Sequence, residues 1–218
     1  MNPKDFKLCT RDHKYLNNLE NFETFYGVKK FNQFYKKLKL VRFVRNPIER
    51  LISGFIHLCY YGVNKNVHYC YGCNKNITCF VNVLEKRLWQ ILNHKIIPYK
   101  NDEEFHYSHH FYPQTWGCEY YKTHDTYTYI KYSSSNKASF SNNISKLLRN
   151  SYVSNKALNF IKKRINNVKI HPTVSKNETK IYKNILYNDP LLLQKVCSIY
   201  YYDFIKFDFE FPKECKNV

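Results

Sequence analysis

The stretch from Leu38 to Cys59, LKLVRFVRNPIERLISGFIHLC, constrains this chain more than any other. Leu40-Val41-Arg42-Phe43-Val44 is rich in β-branched and aromatic side chains, which predicts a strand. Asn46-Pro47 ends it, because proline has no N–H for a sheet ladder and asparagine favours turns. Ile48, Leu51, Ile52, Phe55 and Ile56 then recur at helical spacing, with Pro47 suited to the first helical turn. The reading is a strand–turn–helix unit over 38–59, with Arg45 at the turn, Arg50 in the first helical turns and Ser53 about one turn further on. Free N–H groups at a helix start, an arginine fork and a hydroxyl together make a phosphate site.

Composition bounds the rest. A chain of 218 residues has room for one domain with a substantial core, and two full domains would be cramped. Hydrophobic residues at 44%, with 21 Tyr and 16 Phe, argue for a folded protein rather than a disordered one. The formal charge of +18 calls for an anionic partner: nucleic acid, an acidic membrane, or an anionic nucleotide with an acidic glycan. The lysines are scattered, so charge alone does not choose among these. No stretch reaches the roughly 18–20 apolar residues of a membrane span, and no signal-peptide pattern opens the chain. Yet 8 Cys and the sequons at Asn76, Asn143 and Asn177 point to an oxidising, secretory compartment and a glycoprotein. An upstream membrane anchor absent from this chain would reconcile the two.

Residues 60–80 form a cysteine-rich insert, with Cys70 and Cys73 at C-x2-C spacing, Cys79 beyond, and Cys59 just upstream. A zinc knuckle with His68 is one reading. A disulfide-stapled loop is the favoured one, because no second ligand pair follows. The pairing itself is not deducible. Leu84, Leu88, Ile91 and Leu92 predict a core helix. His106 to Cys118, HYSHHFYPQTWGC, is the second concentration of chemistry, where an imidazole is the usual general base near neutral pH. Residues 133–143 read as a polar linker, and 144–165 as helical, with Lys162-Lys163-Arg164 on a solvated side. Val168 to Thr173 reads as a short strand and turn. Asp189-Pro190 starts a helix that runs to Phe204, followed by alternating Phe207 and Phe209.

Arg45-Asn46-Pro47-Ile48-Glu49-Arg50-Leu51-Ile52-Ser53-Gly54-Phe55 resembles the 3′-phosphate-binding motif of sulfotransferases. In the form VRxPxxRxxSxF it is most similar to the Golgi carbohydrate sulfotransferases of the chondroitin 4-O group, in a nematode-type version. The stretch from His110 to Cys118, the strand Tyr127 to Tyr132, His171 to Thr173 and the Tyr200 to Phe209 ending resemble further segments of that family. The resemblance implies an α/β fold in one domain over 1–218: a sulfotransferase-like, P-loop-like central parallel sheet flanked by helices. It implies 3′-phosphoadenosine 5′-phosphosulfate (PAPS) as sulfuryl donor, no metal, and a glycan or proteoglycan acceptor rather than nucleic acid. The location implied is the Golgi lumen, with a membrane anchor outside this chain. Arg45 and Ser53 would hold the 3′-phosphate, with Arg50, His171 and Thr173 nearby. His110, then His109, would serve as base on the acceptor side. Nothing before Leu38 reads as the family's 5′-phosphosulfate loop, so an N-terminally truncated or inactive relative is the alternative, and a basic nucleic-acid-binding protein a second.

Overall fold

The computed structural model describes residues 39–62, 70–95, 107, 109–117, 120–133, 136–167 and 177–215. The first strand, β1 (Leu40–Arg45), and the second, β2 (Tyr127–Tyr132), lie where the sequence predicts them. They pair in parallel, from Leu40 opposite Tyr127 to Arg45 opposite Tyr132. Val44 and Ile130 are buried and Phe43 is exposed, so the alternation of a strand is kept with one face inward. Among the described residues the sheet has these two strands, and the remainder is mostly helix. The architecture is mixed α/β; the predicted larger central sheet is not seen among the described residues.

β1 leads through Asn46 into α1 (Pro47–Phe55), which continues as a π-helical turn, Ile56–Tyr60. The apolar stripe read from the sequence, including Leu51, Ile52, Phe55 and Ile56, is buried. It packs against α2 (Ile77–Leu92) and α6 (Asn177–Tyr187), with the Phe55 ring 5.3 Å from Phe80 and 4.9 Å from Tyr182. α7 (Pro190–Ile199) closes the core with Leu193, Val196 and Cys197. Each fully buried Leu, Ile or Phe contributes about 1.5–3 kcal/mol, so this helical core supplies the main driving force.

The cysteine-rich insert is stapled: Cys59 bonds Cys70, and Cys73 bonds Cys79. Cys70 and Cys73 thus enter different disulfides, which accounts for the C-x2-C spacing without a metal ligand role. Among the described residues no group of side chains could hold a metal ion. A third bridge joins Cys197 to Cys215. α2 begins at Ile77, ahead of the predicted apolar run, because the Asn76 side chain accepts a hydrogen bond from the Cys79 N–H at 3.0 Å.

Three sequence expectations differ from the structure. The stretch 133–143 is not a linker throughout, since α4 (Lys137–Arg149) starts inside it, with the Asn136 side chain accepting from the Ser139 N–H at 3.0 Å. The helix expected over 144–165 is two helices, α4 and α5 (Asn155–Asn167), joined by a turn in which Tyr152 has φ +62°. The long helix from Asp189 stops at Ile199, and α8 (Tyr201–Lys206) follows after Tyr200, whose φ of −105° is non-helical. The Tyr200 ring is buried there and its hydroxyl donates to the Phe111 carbonyl at 2.6 Å. The Asp189 cap itself is present, accepting from the Leu192 N–H at 3.0 Å. Phe207 lies in the turn that follows and Phe209 just beyond it, with Phe207 packed on Tyr120 and Tyr129. The predicted 168–173 strand, with His171 and Thr173, lies outside the described residues, as do residues 1–38. Among the described residues no helix is long and apolar enough to cross a membrane.

Candidate functional site

The turn between β1 and α1 determines how Arg45 is presented. Asn46 Oδ1 accepts from the backbone N–H groups of Ile48 and Glu49, at 3.0 and 3.2 Å, and Pro47 carries no N–H. The free N–H groups anticipated at this helix start are therefore already satisfied within the protein. An anion here must be held by side chains. The Arg45 guanidinium lies over the Tyr132 ring, 5.5 Å from its centroid, and its Nε sits 3.5 Å from Glu49 Oε2. Arg45 Nε and Glu49 Oε2 are both buried without a hydrogen bond. The Glu49 carboxylate already faces Arg45 Nε, which leaves the terminal nitrogens of the guanidinium for an incoming anion.

The segment 109–117 packs across α1 and supplies the other wall. Residues 109–111 are helical, and Arg50 fastens that turn by donating to the carbonyls of His109 and Tyr112, each at 2.8 Å. Burial lowers the Arg50 pKa from its ordinary value, with Tyr200 and Asp203 acting in the opposite sense; the guanidinium remains a cation at neutral pH. The close approach depends on Gly54. A Cβ there would stand 3.0 Å from the Phe111 ring and 3.3 Å from His110 Cβ.

Beyond the histidines, a 3-10 turn at Gln114–Trp116 is held at both ends. At its start Asp203 of α8, fully buried, accepts from the N–H groups of Gln114 (2.6 Å) and Thr115 (2.8 Å) and from the Thr115 hydroxyl (2.9 Å). At its end Arg42 donates to the carbonyls of Gln114 and Gly117. Burial raises the Asp203 pKa above its ordinary value, against the lowering effect of the hydrogen bonds from Gln114 and Thr115. The Gln114 side chain then bridges to β1: its Oε1 accepts from the Arg45 N–H at 3.0 Å, and its Nε2 donates to the Arg45 carbonyl at 2.9 Å. Gln114 thereby replaces a sheet partner for the residue that carries the guanidinium.

The result is a cleft of about 260 Å³ lined by Arg45, Arg50, Ser53, Gly54, His57, His109 and His110. Among the described residues none that lines it is acidic. The cleft brings together Arg45, Arg50, Ser53, His109 and His110, all named from the sequence. His171 and Thr173 lie outside the described residues. His57 was not named, although Arg50, Ser53 and His57 fall at i, i+3 and i+7, which places them on one helical stripe. Its ring centroid lies 5.8 Å from that of His110. Gln114 had no local signal, because its partner is far away in sequence. Asp203 caps the Gln114 turn. The volume is below the roughly 300–1,000 Å³ of whole small-molecule sites, so the cleft suits the phosphate or sulfuryl end of a nucleotide rather than all of it.

The chain is 30% identical over 177 residues to the carbohydrate sulfotransferase chst-1 of Caenorhabditis elegans, covering 79% of this chain and 53% of that one. It is 27% identical over 208 residues to the uncharacterized C. elegans protein C18B2.2, covering 94% of this chain and 55% of that one. The chain thus spans about half the length of these curated relatives. No solved structure matches it. The model of the sulfotransferase family matches residues 2–210, and the chain belongs to that family.

Proposed function

We propose that this chain transfers a sulfuryl group from PAPS to a hydroxyl of a glycan, with a chondroitin-like polymer as the acceptor class. The observation that carries this reading is the cleft lined by Arg45 and Ser53 together with His57, His109 and His110, with no acidic residue among its described lining. In this reading Arg45 and Ser53 hold the 3′-phosphate, with the Arg45 guanidinium as its charged donor. Arg50, whose terminal nitrogens hold the carbonyls of His109 and Tyr112, keeps the histidine turn in place and adds positive charge. His171 and Thr173 are assigned to the nucleotide by resemblance.

The reaction is an in-line displacement. The acceptor oxygen forms a bond to sulfur as the bond from sulfur to the 5′-phosphate oxygen breaks, and adenosine 3′,5′-bisphosphate leaves. His110 takes the hydroxyl proton, with His57 and His109 as neighbouring imidazoles. Cationic side chains stabilise the charge on the departing phosphate. The phosphosulfate is already an activated donor, so the chemistry requires no metal. Three disulfides support a secretory, Golgi-type setting.

The test is calorimetric titration of the full chain, made through a secretory route, with adenosine 3′,5′-bisphosphate. A micromolar-range Kd, about −8 kcal/mol of binding free energy, is expected, and it should be lost in Arg45→Ala and in Ser53→Ala. His110→Gln should keep that binding and lose sulfuryl transfer to chondroitin. A folded chain that does not bind the nucleotide overturns the reading in favour of a sulfotransferase-fold protein without activity. That second reading draws on the sequence before Leu38, where no 5′-phosphosulfate loop is evident.

A further inference from the structure

Between Asp125 and Glu178 the chain contains no acidic residue, and within it the α4–α5 hairpin, Lys137 to Asn167, carries seven basic ones. The hairpin is closed by its own backbone, with the Tyr152 N–H donating to Arg149 O and the Val153 N–H to Leu148 O. Between the two helices runs a groove of about 460 Å³, lined by Asn142, Ser145, Lys146 and Arg149 from α4 and by Leu158, Asn159 and Lys162 from α5. The four α4 residues fall at i, i+3, i+4 and i+7, so they form one continuous face. None of the three cations has a carboxylate partner among the described residues. Each is flanked by a neutral amide or hydroxyl, and the buried Leu158 gives the groove an apolar side.

We propose that this groove is a binding site for an anionic polysaccharide. Its sulfate or carboxylate groups would meet Lys146, Arg149 and Lys162, and its hydroxyls Asn142, Ser145 and Asn159. Nucleic acid fits less well, for two reasons. Single-stranded binding relies on aromatic platforms for the bases, and among the described residues no aromatic side chain lines the groove; the exposed Tyr152 and Phe160 of the same hairpin are not among its lining. The three disulfides also place the chain where polysaccharides, not nucleic acids, are the abundant polyanions.

The groove is structurally joined to the cleft on α1. Phe140 of α4 packs edge-on against Tyr132, at 5.0 Å and 88°, and Tyr132 carries the Arg45 guanidinium on its ring. From Phe140 to Arg149 the helix covers about 14 Å, at 1.5 Å per residue. The groove assignment does not require the sulfuryl-transfer reading to be correct.

The experiment measures binding of size-defined chondroitin sulfate and heparin fragments to the full chain, by surface plasmon resonance across a salt series. Neutral dextran and a single-stranded RNA oligonucleotide serve as comparison probes. The groove variant carries Lys146→Gln, Arg149→Gln and Lys162→Gln. A control variant of equal net charge carries Lys156→Gln, Lys163→Gln and Arg164→Gln on the same hairpin. The groove variant should lose about tenfold or more in affinity, the sum of three modest surface contacts, and the control no more than about threefold. Asn142→Ala with Asn159→Ala should weaken binding without any change of charge. Arg45→Ala should leave fragment binding in place, which separates failure of the nucleotide assignment from failure of this one. Equal losses in both triple variants, or no binding of either polysaccharide, overturn the proposal. RNA binding that is tighter than polysaccharide binding and lost in the groove variant also overturns it, in favour of a nucleic-acid site.

Discussion

Replacing Asp203 by asparagine tests the claim that a buried carboxylate on α8 holds the turn that positions Arg45. The wild-type carboxylate accepts from the Gln114 N–H at 2.6 Å on one oxygen, and from the Thr115 N–H and hydroxyl at 2.8 and 2.9 Å on the other. Asparagine keeps one acceptor oxygen. In its better orientation that oxygen serves Thr115, and the new NH2 faces the Gln114 N–H, leaving a buried donor unsatisfied at a cost of about 1–3 kcal/mol. The two retained bonds also lose the assistance of a charge, worth about 1 kcal/mol each. The total is about 3–5 kcal/mol, a large share of the roughly 5–15 kcal/mol that stabilises a domain. Urea unfolding at low temperature, followed by circular dichroism, should show the midpoint fall with the slope unchanged. Thr115→Val removes one of the same bonds. It should cost about 1–2 kcal/mol alone and about half as much in the Asp203→Asn background, where the retained bond from the Thr115 hydroxyl has already lost the assistance of the charge. A loss below about 1 kcal/mol for Asp203→Asn, or full additivity of the pair, would show that the carboxylate does not organise this turn.

Two further outcomes are expected. Gly54→Val should destabilise the fold by about 1–3 kcal/mol through overpacking against the Phe111 ring and His110, and should weaken adenosine 3′,5′-bisphosphate binding; Gly54→Ala, which gains helix propensity, should be close to neutral. Wild-type stability and nucleotide affinity in Gly54→Val would contradict the close packing of the histidine turn on α1. Burial pushes the Tyr129 phenol up to about 12, from an ordinary 10.0. A raised acid pKa means the folded state holds the proton more tightly than the unfolded chain, so this group's stabilisation is full below pH 10.0 and declines as pH rises toward about 12. Tyrosine-labelled NMR, with the ring assigned by its absence in Tyr129→Phe, should show that ring titrating late; an ordinary midpoint would contradict its packing against Phe207.

The sequence alone determined the local units of this protein. β1, its turn at Asn46-Pro47 and α1 were readable because strand propensity, proline chemistry and a 3.6-residue apolar period act over a few neighbouring residues. The Asp189 cap was readable for the same reason, whereas the Tyr127–Tyr132 strand and the grouping of Arg45, Arg50, Ser53, His109 and His110 in one candidate site came from resemblance to the family. Only tertiary structure decided how these parts meet. The disulfide pairing depends on which Cα atoms approach one another, and spacing does not encode that. The break at Tyr200 follows from burial of its ring beneath Phe111, a contact across 89 residues that outweighs helical continuity. The satisfied N–H groups at the start of α1 move the anion site from backbone to side chains, because Asn46 folds back on its own helix. Gln114 joins Arg45 to Asp203 across three segments distant in sequence, and no pattern in the chain announces it. Local propensities specify elements, whereas a site assembled from separate elements exists only once the core has packed them together.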